Sequence, residues 1–124
     1  MALSLTSSVA DVGGTLALQT DATAAIDTLK ATSGTLYKVE IDNTSNSVAV
    51  YVKLYNNTGG APTAGSTDPH FIFKCAAEST IAYSCPSGTA FANALYAICV
   101  TSAGTAGTSS QDPASDVIYR ILYT

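Results

Sequence analysis

The residues that could do chemistry are few: one histidine, His70, three cysteines, Cys75, Cys85 and Cys99, and nine acids in 124 residues. A Ser-His-Asp or Cys-His machine would have to be built around His70, and no serine lies in a G-x-S-x-G turn. Glu40 and Asp42 stand two apart on an apparent strand, which sets their Cα atoms roughly 7 Å apart on one face, a spacing that glycosidases use. Lys38 shares that face, as on an ordinary solvated sheet. Asp68, Asp112 and Asp116 fall in loops and could converge on calcium, but no EF-hand spacing relates them. The cysteines lack C-x-x-C spacing and read as small apolar side chains. A Cys75–Cys85 bridge across a hairpin and a zinc site completed by His70 are the minor alternatives. "GTAG", Gly104 to Gly107, lacks the Lys and Ser or Thr that follow in a phosphate loop. The sequons at Asn43 and Asn56 matter only in a secreted chain. The expectation is no catalytic residue, no cofactor and no metal.

The bulk composition narrows the partners. Hydrophobic residues make up 47% and charged residues 11%, the profile of a folding chain, and the length suits one domain. The net charge is -4, and the five bases, Lys30, Lys38, Lys53, Lys74 and Arg120, are scattered. Binding phosphates takes a dense cationic face, because affinity comes from counterion release, so neither nucleic acid nor an anionic membrane is an expected partner. No apolar run approaches a bilayer span, and the opening "MALSLTSSVADV" lacks a basic n-region, so synthesis in a cytoplasm is expected.

The elements that must position these residues read as strands. In "TLYKVEID", Tyr37, Val39 and Ile41 fall on one face and Lys38, Glu40 and Asp42 on the other. After "NTSNS", Val48, Val50, Val52 and Leu54 alternate with Ala49, Tyr51, Lys53 and Tyr55, so the two runs predict a hairpin. Further strands are expected at 70–75, 80–85, 92–101 and 116–123, separated by "AGSTDP", "AAES", "PSG" and "SAGTAGTSSQDPAS". Between residues 20 and 34, Ala22, Ala25, Ile26 and Leu29 have helical spacing. Thr23, Thr28 and Thr32 oppose it, and strand is the preferred reading. With 14–19 this makes about eight strands in one antiparallel β-sandwich spanning residues 13–124.

Residues 1–12, with Leu3, Leu5, Val9 and Val12 in a Ser-rich background, read as a short N-terminal arm able to dock on another surface. Seven tyrosines and no tryptophan suggest amphipathic contact area. Tyr51 and Tyr55 share a face with Lys53, where they could pack on a subunit or stack on a sugar.

The run "GTLYKVEIDNTSNSVAVYVKLYNNTGGAPTAGSTDPHFIF", Gly34 to Phe73, resembles a pattern in small structural proteins of tailed bacteriophages. There a G-x-L-Y strand leads to an I-x-N turn, an A-x-Y-V-K-L-Y strand, a Pro and Gly loop and a closing Pro. The matching positions here are Gly34, Leu36, Tyr37, Ile41, Asn43, Ala49, Tyr51 to Tyr55, Pro62, Gly65 and Pro69. The resemblance implies a jelly-roll-like β-sandwich of the virion. The expected role is a capsid decoration (cement) protein, a homotrimer held on the major capsid protein of the phage head. The expected contacts are Leu3, Leu5, Val9, Val12, Tyr51, Tyr55 and Pro62. The alternative is a tail-associated fibre or adhesion module that binds host glycans.

Overall fold

The computed structural model describes residues 3–9 and 14–124. Among these lie nine strands: β1 (Leu3–Val9), β2 (Gly14–Gln19), β3 (Asp27–Lys30), β4 (Gly34–Asp42), β5 (Val50–Tyr55), β6 (Phe71–Cys75), β7 (Thr80–Phe91), β8 (Leu95–Val100) and β9 (Ile118–Tyr123). They form a five-stranded sheet in the order β1-β2-β9-β4-β7 and a four-stranded sheet in the order β3-β8-β5-β6. All pairings are antiparallel. From β2 onward the chain changes sheet at every connection except β5 to β6, so β2-β9-β4-β7 faces β3-β8-β5-β6. That interleaving is the jelly roll, with β1 added at the rim of the larger sheet.

Alternating apolar residues place one core between the sheets: Leu36, Val39, Ile41 and Ile121 from the larger sheet meet Val50, Val52, Leu54, Ala97 and Cys99 from the smaller. A second apolar cluster, Tyr55, Tyr96, Ile98, Val100, Ala24 and Ala94, lies on the outer face of the smaller sheet. Long loops cover that face. Gly107 lies so close that a Cβ there would sit 2.8 Å from Gly65 N and 3.0 Å from Ile98 Cδ1. With both faces covered, every residue of β8 is buried, which is why "LYAICV" is a continuous apolar run rather than an alternating one.

Four expectations change. The predicted hairpin of residues 35–55 does not form: β4 and β5 belong to opposite sheets. Alternation makes both runs strands but says nothing about their partners, and the turn between them is a corner. There buried Asn43 donates to Val48 O at 2.8 Å and Ala76 O at 3.0 Å. Buried Asn46 donates to Asn43 Oδ1 at 3.0 Å and Ser115 O at 3.1 Å, and accepts from Ser115 N at 2.8 Å. These bonds satisfy three chain reversals at once.

Secondly, "PSG" does not end a strand. β7 runs through it as a wide bulge: Leu36 pairs with Thr89 and Lys38 with Ser84, so Tyr37 alone faces Cys85 to Gly88. Gly88 has φ +79, and a side chain there would run into Thr35 Cγ2. The bulge also turns Tyr37 off the face of Val39 and Ile41, and Leu36 takes the inward place.

Thirdly, residues 3–9 are not a free arm. They pair with β2 from Leu3↔Gln19 to Val9↔Gly14, so the sandwich includes them. Fourthly, residues 20–34 hold one four-residue strand, β3, rather than a long one, and no helix. The extended stretch before β3 is tied down by Cys99 N to Thr23 O at 2.8 Å and Ala24 N to Asp112 Oδ1 at 2.8 Å.

Candidate functional site

The polar groups that matter most structurally are inside. Asp27 on β3 is buried and accepts from Gln19 Nε2 at 3.1 and 3.0 Å and from the Tyr119 hydroxyl at 2.5 Å. Burial first, then the Asp27 carboxylate, pushes the Tyr119 phenol well above its ordinary range. Tyr123 donates to Leu29 O at 2.6 Å. Both tyrosines are on β9 of the larger sheet and both acceptors on β3 of the smaller. This cluster lies in the core and holds the layers together.

Lys53 is the second buried ionisable group. Its Nζ donates to Ala106 O at 2.5 Å, and burial lowers its pKa from 10.5. It sits on the outer face of the smaller sheet, pinning the loop that covers the second apolar cluster. Thr105 adds a bond to Asp68 Oδ1 at 2.6 Å beside it.

The other residues singled out by sequence are dispersed. His70 is exposed and accepts at Nδ1 from Asn56 N at 3.1 Å. Glu40 pairs with Lys38 at 3.2 Å, both side chains 41% exposed. Asp42 accepts from the hydroxyl and backbone N–H of Thr44 at 2.7 and 3.0 Å, which hold its carboxyl below its ordinary value. Asp68 and Asp112 take up loop bonds of their own. Among the described residues no three His, Cys, Asp or Glu side chains are placed to hold a metal. The three cysteines are free thiols. Cys75 and Cys99 are buried, and burial raises both, Cys99 to about 12. Cys85 lies on β7, in the sheet opposite Cys75 on β6, so no hairpin joins them.

The expected contact residues divide. Leu3 is half-buried against the core and Leu5 is 47% exposed. Val9 belongs to β1, and Val12 lies outside the described residues. Tyr51 is half-buried, but Tyr55 and Pro62 are covered by the chain itself and offer no surface to a partner. Burial raises the Tyr55 phenol, and its hydroxyl is a buried polar group without a hydrogen-bond partner among the described residues. The sequence missed this because the loops that cover the strand are distant from it along the chain.

What stands open is the rim of the larger sheet. Its two edge strands, β1 "LSLTSSV" and β7 "TIAYSCPSGTAF", contain no charged residue. Leu5 pairs with Ala17 and Ile81 with Ile41, so both point toward the core side, yet Leu5 is 47% and Ile81 39% exposed. The smaller sheet has one strand fewer and no strand opposite β1, whereas β7 lies opposite β6 and leaves Ile81 open at its outer edge. Between β6 and β7 the rings of Phe73 and Tyr83, 5.0 Å apart, close the gap, and Tyr83 donates to Lys74 O at 2.6 Å.

Two hollows complete the surface. One, on the outer face of the larger sheet, is lined by Glu40, Asp42 and Arg120 among others. The other lies at the end of the sandwich, where the 31–33, 57–60 and 92–94 loops meet. Comparison with known proteins gives no match: no family model, no curated protein and no solved structure is similar to this chain.

Proposed function

We propose that this chain is a non-enzymatic structural protein of a phage particle, a decoration protein that binds the major capsid protein on the outside of the head and associates with its own copies, as a trimer. The observation that carries the reading is the pair of uncharged edge strands, β1 and β7, with Leu5 and Ile81 uncovered at the rims. Monomeric sheet proteins blunt their edges with charge, proline or bulges; β7 carries Pro86 in its bulge, but Thr80–Ser84 of β7 and Leu3–Ser7 of β1 pair regularly with neither charge nor proline. A chain meant to be bridged by neighbours keeps such edges. The resemblance over Gly34–Phe73 and the jelly roll, an architecture shared by capsid and lectin domains, support the same reading. Several small contacts from one oligomer act at high effective concentration, so no single rim needs the area of a stable interface.

Gold-labelled antibody against the chain, imaged on purified particles of the phage that encodes it, tests this directly. Label on the head supports decoration. Label on the tail, or on no particle, overturns it. Addition of the purified protein to empty heads should give saturable binding that Leu5→Asp weakens at least tenfold.

A further inference from the structure

The β3–β4, β5–β6 and β7–β8 connections all leave the sandwich at one end and border a wide, open cleft of about 360 Å³. That is the lower end of the range for clefts that hold small molecules. Its walls include Thr32, Ser33, Asn57, Thr58 and Asn93, with Tyr96 from β8, and no charged side chain lines it. A wall without cations does not suit phosphate or carboxylate, and one this rich in hydroxyls and amides does not suit a lipid.

The polar groups here fall into two sets. One set builds the cleft: Asn56 Oδ1 accepts from Asn93 N at 2.8 Å and Ala94 N at 3.2 Å, and Asn57 Nδ2 donates to Gly60 O at 2.9 Å. Gly59 and Gly60 take positive φ, 77° and 116°, and a Cβ on either would meet nothing within 4 Å, so backbone conformation rather than crowding selects glycine and the rim stays low. The other set is uncommitted: among the described residues, nothing hydrogen-bonds to the side chains of Thr32, Ser33, Thr58 or Asn93.

Tyr96 provides the independent observation. It is 6% exposed, it lines the cleft, and its hydroxyl has no partner among the described residues. The ring is buried while the hydroxyl opens to solvent in the cleft, since among the described residues the buried side-chain oxygen without a partner belongs to Tyr55. An uncharged cleft with hydroxyls and amides that both donate and accept, beside an aromatic ring with an open hydroxyl, matches a neutral polyhydroxylated ligand.

We infer that this end-loop cleft binds one pyranose unit of a neutral saccharide, with Tyr96 and Asn93 as its principal hydrogen-bonding residues. The inference does not depend on the decoration reading: a head-bound protein could display the cleft outward, and a tail-bound one could use it for adhesion.

The test is an amide ¹H–¹⁵N titration of the intact chain with the methyl glycosides of glucose, galactose, mannose and N-acetylglucosamine, and separately with inorganic phosphate. Saturable shifts confined to residues 31–33, 57–60 and 92–96 with at least one glycoside are expected. Asn93→Ala and Tyr96→Phe should each weaken that binding about three- to tenfold, the loss of one hydrogen bond. Asn93 is exposed and Tyr96→Phe removes one oxygen, so both variants keep the fold, which the unshifted amides of the same spectra report. No shift with any glycoside, shifts spread outside the three loops, a stronger response to phosphate, or unchanged affinity in both variants would each overturn the inference. Binding of the two variants to empty heads should remain at the parent level, which separates this site from the rims.

Discussion

The Tyr119 hydroxyl donates to Asp27 Oδ2 at 2.5 Å across 92 positions of sequence. It is the link that fastens β9 of one sheet to β3 of the other. β3 has four residues and pairs only with β8. With the Tyr123 bond to Leu29 O and the Gln19 bonds to the same Asp27 carboxylate, the Tyr119 bond ties this short edge strand to β2 and β9 of the larger sheet.

Tyr119→Phe should therefore destabilise the fold by about 2 kcal/mol, the value of a buried hydrogen bond to a carboxylate. Asp27→Asn should cost more than Tyr119→Phe, because it sets an amide donor among the Gln19 and Tyr119 donors. Urea unfolding followed by circular dichroism checks both. Equal stability of Asp27→Asn and the parent would show the carboxylate to be dispensable.

The Asn43–Asn46 corner makes a second prediction. Asn46 makes three side-chain hydrogen bonds in a buried place, two of them to Ser115, 69 residues away. Asn46→Ala should cost about 2–3 kcal/mol, and Asn46→Asp nearly as much, since a carboxylate cannot donate to Ser115 O. A loss below about 0.5 kcal/mol would mean that water replaces the side chain at little cost.

Lys53 sets a pH dependence. Burial lowers its pKa in the folded chain, whereas the unfolded chain keeps the proton up to about 10.5. Between the folded and unfolded pKa the unfolded state binds more protons, so this residue's contribution to stability rises with pH and its penalty is fullest below that window. Lys53→Met removes the charge. The half-exposed Ala106 carbonyl can turn to water, so the variant should be more stable than the parent by about 1 kcal/mol at pH 7. The gap should narrow as pH rises toward 10. Thermal melts of both proteins at stepped pH measure the difference, and a gap that widens with pH would contradict the assignment.

The thiols should separate by burial. Cys85 is half-buried on an edge strand, while Cys75 and Cys99 are buried and raised above their ordinary pKa. A chromogenic disulfide reagent should titrate one thiol in the native protein and all three in denaturant. Mass spectrometry should place the first label on Cys85.

How far the sequence carries to the structure depends on what each residue's neighbours are. Strand positions were legible wherever one face is wet: Gly14–Gln19 was predicted to the residue, and β6 and β9 within two. Sheet membership was not, because Asn43 and Asn46 look like any polar turn until Ala76 and Ser115 arrive beside them. The bulge at Cys85–Gly88 was hidden because Pro and Gly also mark chain reversals. Lys53 and Tyr55 read as an exposed face, since the loops that bury them lie from 9 to over 50 residues away. The end-loop cleft left no local signal at all: its three walls are separate loops that the jelly roll brings together.

The place of β9 has a consequence for biosynthesis. It lies between β2 and β4, pairing Ala17 and Val39 to the same Ile121. A nascent polypeptide halted before Ile118 holds a β1–β2 ribbon with no hydrogen-bonded route to β4 and β7, and its most apolar surfaces stay wet. Tertiary assembly must wait for the ribosome to deliver Ile118–Tyr123, and loss of that segment should yield aggregates rather than a smaller working version of the molecule.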